Sequence, residues 1–184
     1  MHRKLLSNHF SQKIVLAACL SLIGVSALAA DLSHYLRPAE IPQPDNNRIT
    51  PQRVELGKML FFDPRLSGSN WISCATCHNP GLGWSDGLPT AIGHGQKILH
   101  RSTPTILNTA YQPLQLWDGR ARSLEKQALG PIEDAGEMAQ SIHKSVDKSG
   151  NLIDELKVLK GYRDAFEAAY PGEGITKKTI AKAL

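Results

Sequence analysis

Cys74-Ala75-Thr76-Cys77-His78 constrains this chain more than any other stretch. Two cysteines three positions apart on a helical turn lie about 4.5 Å apart along the axis and nearly one turn round it. Both sulfurs therefore share a face and can reach the two vinyl groups of a porphyrin. The imidazole that follows at once is presented to its iron. C-x-x-C-H is the attachment motif of c-type haem, and His78 takes the role of proximal ligand. A thioredoxin-like C-x-x-C would sit beside a βαβ pattern, and none is visible. Half of a zinc site would need a second Cys/His pair, and none follows.

The remaining cysteine, Cys19, lies in a segment that reads as an export signal. Residues 1–29 combine a basic start (His2, Arg3, Lys4, Lys13), an apolar run over 14–28 and an Ala27-Leu28-Ala29 cleavage site. The 15-residue run is short for a membrane span, which needs about 20, so no transmembrane segment is expected and the protein is expected in the periplasm. Leu16-Ala17-Ala18-Cys19 resembles a lipoprotein site, but it leaves only residues 14–18 as an apolar core, which disfavours that reading. Three of the 21 Lys/Arg and none of the 17 Asp/Glu fall in the leader, so the rest of the chain is nearly neutral. No basic run survives there, which argues against nucleic acid as a partner.

Residues 30–52, rich in proline and polar side chains, read as an extended arm. A haem domain is expected over 53–184. Its first helix runs over 53–62 and is stopped by Asp63-Pro64. One helical turn is expected over 73–79. The stretch 80–115 is long, punctuated by Gly and Pro and without periodicity. Loops of that kind are uncommon without a use, and this one is expected to wrap the cofactor. Helices are expected over 123–129 (Ser123 as cap, Gly130-Pro131 as stop), 137–148, 151–160 (Asn151 as cap) and 162–170, with a last one opening at Thr176. No convincing strand of period two is present. The spacing of Ile180, Ala181 and Leu184 is still helical where the chain stops, as expected of a chain that continues.

Haem iron has a second axial position. The candidates are His94, His100, His143, Met59 and Met138. His94 stands in Ile92-Gly93-His94-Gly95, where flanking glycines let the backbone reverse and carry the ring toward or away from the haem. Both methionines read as core on apolar helix faces, and His100 and His143 as surface. The second ligand decides function. A haem with both axial positions fixed passes electrons only, whereas one with a displaceable ligand admits peroxide or oxygen.

Four blocks resemble the bacterial di-haem cytochrome c peroxidase family, which includes the MauG-like enzymes. They are Leu56-Gly57-Lys58-Met59-Leu60-Phe61-Phe62-Asp63-Pro64-Arg65-Leu66-Ser67, Ile72-Ser73-Cys74-Ala75-Thr76-Cys77-His78-Asn79-Pro80, Pro104-Thr105-Ile106-Leu107-Asn108-Thr109-Ala110 and Leu116-Trp117-Asp118-Gly119-Arg120-Ala121. Gln127, Gly130-Pro131-Ile132 and Glu137-Met138 follow in register.

The resemblance implies an all-α fold, a cytochrome c-like haem domain with long irregular loops wrapping the haem. It implies one haem c here and a second in a further domain after Leu184. It places His94 as the displaceable distal ligand, Trp117 between the two haems, Glu137 as the acid/base and Gln127 as the polar side chain beside it. Arg120 and Arg122 are candidates to pair with haem propionates. The implied reaction reduces hydrogen peroxide to water with electrons from a small cytochrome c or copper protein. The alternatives are a MauG-like enzyme that oxidises a partner protein and a non-catalytic electron carrier. Family members are commonly homodimers, though nothing in the sequence marks an interface. Ser102 follows Arg101 where the family often has a calcium-binding Asn, so calcium remains an option that this sequence does not support.

Overall fold

The computed structural model describes residues 31–36, 38–139 and 151–184. The signal segment and His143 lie outside these. Six α-helices are present among the described residues: α1 (Pro51–Phe62), α2 (Cys74–Cys77), α3 (Leu124–Glu133), α4 (Leu152–Val158), α5 (Lys160–Ala169) and α6 (Lys177–Ala183). Among the described residues β-pairing is confined to three isolated bridges, Asn79–Ser85, Ile92–Ile98 and Gln115–Ala121. The all-α reading holds.

Two compact units divide the chain, residues 1–40 and Ile41–Leu184. In the first, Ser33–Tyr35 forms a single 3-10 turn. The second holds the core. Within it, part of the expected arm is tied down: Asn47 Nδ2 donates to Lys182 O (3.0 Å) and Glu125 Oε1 (3.2 Å), and its Oδ1 accepts from the Tyr170 hydroxyl (3.3 Å).

Helix starts follow side-chain chemistry. Thr50 caps α1 ahead of Pro51, Ser123 caps α3, Asn151 caps α4, and Thr176 with Thr179 makes a reciprocal capping box on α6. Leu56 and Leu60 of α1, Ile132 of α3, Leu152 and Leu156 of α4, Phe166 of α5 and Ile180 of α6 are buried in one cluster. Helix α1 crosses α6 so closely that a Cβ at Gly57 would lie 2.2 Å from the Ala183 carbonyl oxygen. Glycine there is a packing requirement.

Three expectations need correction. Gly130-Pro131 does not stop α3, which runs on to Glu133. Proline forfeits one backbone hydrogen bond, but Ile132 is fully buried and the Asp134 N–H closes on Gly130 O at 3.0 Å, which holds the last turn. Glu137 and Met138 lie in a turn rather than opening a helix, and Ala139 takes a left-handed φ of +53°; the remainder of that expected helix falls outside the described residues. Met59 is 41% exposed and is not core, whereas Met138 is buried at 4%.

The turn after α1 is held by a buried carboxylate. Asp63 Oδ1 caps Arg65 N (2.9 Å), and Oδ2 accepts from Arg65 Nη1 (2.8 Å) and from the Tyr162 hydroxyl (2.6 Å). Removing that hydroxyl leaves the carboxylate short of a donor. Tyr162→Phe is expected to cost roughly 1.5–3 kcal/mol, the range for hydrogen bonds to charged groups, measured by denaturant unfolding at neutral pH. Burial first, then Asp63, pushes the Tyr162 phenol well above its ordinary value. A raised group stabilises the fold below its unfolded pKa, about 10 for tyrosine, and loses that contribution as pH climbs through the folded value. The gap between parent and variant should therefore be full at neutral pH and narrow only above about pH 10.

Candidate functional site

Helix α2 is one turn long, and its neighbours fix it. Ser73 N–H donates to Thr76 Oγ1 (3.0 Å), and His78 N–H returns to Cys74 O (2.8 Å). Both cysteines are unpaired and half-buried. Burial pushes the Cys74 thiol up to about 12. Burial, then the charges of Asp86 and Glu137, raises that of Cys77. Each is an uncharged thiol at neutral pH.

The His78 ring is oriented from behind. Its Nδ1 lies 3.1 Å from Pro104 O and 3.3 Å from Trp84 O. Two carbonyls demand that Nδ1 carry the proton, which leaves the Nε2 lone pair free for a metal. Desolvation lowers the pKa of His78 against the opposing effect of those carbonyls, which favours the neutral, ligating form. Phe61 of α1 lies beside it, with ring centroids 6.5 Å apart.

These groups open on a cavity of about 600 Å³, within the range of roughly 300–1,000 Å³ usual for ligand and cofactor sites. Cys74, Cys77 and His78 line it together with Trp117, Gln127 and Glu137. The long loop of residues 80–115 supplies much of the wall, including Ala91, Leu99, Thr103, Pro104 and Ile106. The wall is built for a large, mainly apolar, metal-bearing group: two uncharged sulfurs, one imidazole with its lone pair free, and aliphatic side chains. Haem c fits it. Cys74 and Cys77 would hold the macrocycle and His78 its iron.

Gln127 projects from α3. Glu137 sits on a turn that Asp134 organises, its Oδ1 accepting from Gly136 N (2.7 Å) and Glu137 N (3.1 Å). Desolvation, then the Asp134 charge, raises the Glu137 carboxyl, and Arg120 opposes them. Trp117 is 64% exposed at the cavity rim, where its Nε1 donates to Ser102 O (3.0 Å).

The His94 side chain is not among those lining the cavity; Gly93 and Lys97 on either side of it are. Its backbone N–H is shared between Gly136 O and Glu137 O, both at 2.9 Å. A Cβ at Gly93 would fall 2.0 Å from Gly136 O, so Gly93 permits this backbone-to-backbone docking, and Gly95 supplies the left-handed φ of +63°. The imidazole Nδ1 is buried with no hydrogen-bond partner. Among the described residues no hydrogen bond is recorded for this ring. His100 is exposed, as expected, yet it and buried Met138 also line the cavity.

Asp134 and Thr103 were not singled out in the sequence. Thr103 donates to Asp86 Oδ2 (2.7 Å) and bonds the Ser85 hydroxyl through its carbonyl (2.8 Å), which fixes the loop wall. The Asp134-Ala-Gly pattern, an Asx turn, is a signal that could have flagged the first. Nothing local marks the second.

Residues 51–184 match the family described as di-haem cytochrome c peroxidase. The chain belongs to that family. It is 49% identical over 146 residues to the methylamine utilization protein MauG of Methylorubrum extorquens, covering 79% of this chain and 39% of that one. To the cytochrome c551 peroxidase of Pseudomonas aeruginosa it is 43% identical over 137 residues, covering 74% and 38% respectively. A crystal structure of a MauG-like protein associated with microbial copper homeostasis superposes with a TM-score of 0.70 at 30% identity, over 83% of this chain and 43% of that one. The chain spans 38–43% of the length of these relatives. Among its described residues no helix is long and apolar enough to cross a membrane.

Proposed function

We propose that the chain is the peroxide-reacting haem domain of an exported cytochrome c peroxidase. The reaction reduces hydrogen peroxide to water with two electrons drawn from a small redox protein, a cytochrome c or a copper protein. One observation carries this reading. A haem-attachment set (Cys74, Cys77, His78), a carboxyl raised by burial (Glu137), an amide (Gln127) and a rim tryptophan (Trp117) come from separate segments and line a single cavity.

The bound haem supplies the redox chemistry and the Lewis-acidic iron. The chain's own residues do the rest. Cys74 and Cys77 would tether the macrocycle and His78 would hold its iron. His94 would be the displaceable second ligand, and the unpartnered Nδ1 of its ring supports a side chain that can move in and out. Glu137 takes a proton from one oxygen of peroxide and returns it to the departing one, and Gln127 orients the peroxide. Trp117 carries electrons toward the cavity from a second haem domain, which its exposure favours. Residues 1–29 are removed on export to the periplasm, and the later part of the arm, from Ile41, belongs to the haem domain. Homodimerisation is a further expectation of this reading.

The test is ligand access to the haem-loaded protein. A high-spin iron that takes up cyanide, in at least one redox state, is expected. An iron that stays six-coordinate, low-spin and closed to cyanide in every redox state would leave only an electron carrier. A second reading is favoured by the 49% identity to a MauG protein: oxidation of side chains on a partner protein. Brisk peroxide-dependent oxidation of reduced cytochrome c by the complete gene product separates the peroxidase from it.

A further inference from the structure

We propose that Arg101 and Arg120 form the carboxylate anchor of the cavity, receiving the two propionates of the tetrapyrrole, and that Asp118 braces them for it. The proposal rests on the haem reading above. Both arginines line the cavity, and Arg122 does not. Arg120 Nη1 donates to both carboxylate oxygens of Asp118 at 2.9 Å, and Arg101 Nη1 lies 3.0 Å from Asp118 Oδ2.

The backbone fixes this arrangement. Gly119, with a φ of +69°, turns the chain so that Asp118 and Arg120 meet. Gln115 N–H bonds Ala121 O (2.8 Å) to close the turn, and Trp117 Nε1 on Ser102 O ties it to the segment that carries Arg101.

Ion pairs as exposed as these add little to stability (the arginine side chains are 51% and 59% accessible), so folding alone does not account for the cluster. One carboxylate cannot neutralise two guanidiniums, so the trio of Arg101, Asp118 and Arg120 carries a net positive charge. Each guanidinium carries five N–H donors and spends only Nη1 on Asp118. What remains on each is a planar fork suited to a carboxylate. The carboxylates could belong to the tetrapyrrole or to a partner protein. We assign them to the tetrapyrrole because both arginines line the same cavity as the two attachment cysteines.

The haem-loaded chain is compared with Arg101→Gln/Arg120→Gln, the two single variants, Arg101→Lys/Arg120→Lys and Asp118→Asn. Covalent haem content, the propionate-bending band in resonance Raman spectra and the haem midpoint potential are measured. In the double glutamine variant the band should shift and the potential fall, because removing cations near the iron favours its oxidised form. The double lysine variant should keep most of the potential but still shift the band, since charge is retained and the fork is lost. Asp118→Asn should shift the band in part. Haem-loaded double glutamine protein with the parent's Raman band would overturn the anchor, whatever its potential. That result together with weakened donor binding would reassign the arginines to a partner's carboxylates. If the double variant fails to fold, each single variant must show the shift. An unchanged band in Asp118→Asn removes the brace alone. A parent chain without covalent haem would instead sink the cofactor reading, which is a separate outcome.

Discussion

Changing Cys74 and Cys77 together to serine should abolish covalent haem in protein co-produced with the cytochrome maturation machinery. The readouts are haem staining after denaturing electrophoresis and intact mass. Single variants should keep one thioether and a reduced yield. Burial holds both thiols uncharged, and they stand one helical turn apart beside an imidazole whose far nitrogen is fixed by two carbonyls. The local scaffold survives the substitution, because what positions α2 is the Ser73–Thr76 bond and the His78 backbone rather than either sulfur. The hydrophobic cluster built by α1, α3, α4, α5 and α6 contains neither cysteine, so the apo variant should keep its helices. Stoichiometric covalent haem in the double serine variant would refute the site, and with it everything argued about the cavity.

How much of this could be read from the sequence follows from which interactions are local. The attachment motif, the caps at Ser123, Asn151 and Thr176, and the end of α1 at Asp63-Pro64 are decided within four residues of themselves. Each stands where expected. Pro131 does not end α3 because what keeps the helix going past it is the burial of Ile132 against distant helices, a tertiary term that outweighs one lost hydrogen bond. Glu137 was expected on a helix. It sits on an Asp134-capped turn, and that placement suits it better for the cavity. The His94 loop shows the same limit. Its glycines read as freedom, but Gly93 is there for a close approach to Gly136, more than forty residues on, which no local pattern signals. Met59 fits an apolar helix face as well as Leu56 or Leu60 does. Periodicity alone does not reveal that Met59 is left 41% exposed.

Glu137→Gln is expected to slow the reaction with peroxide by about 10²–10⁴-fold, the usual contribution of a positioned acid/base group. It should leave the haem spectrum and the attachment intact. Glutamine keeps the shape and the backbone bonds of the Asp134 turn, which run through the Glu137 N–H and not its carboxyl, so a structural explanation for the loss is closed off. The pH dependence follows from the environment. Desolvation and the nearby Asp134 charge hold the Glu137 carboxyl above its ordinary range, against Arg120. Only the ionised carboxylate can accept peroxide's proton. The rate of the parent should therefore rise with pH through a midpoint above the usual carboxylate value of about 4.3 and then level off. In Glu137→Gln that rise should vanish. Asp134→Asn removes one of the charges that raise the carboxyl and should move the midpoint down. Stopped-flow rates across the acid range measure all three proteins. A parent profile that is flat, or a glutamine variant that keeps both the rate and its pH dependence, would take Glu137 out of the chemistry and leave it as a buried turn residue.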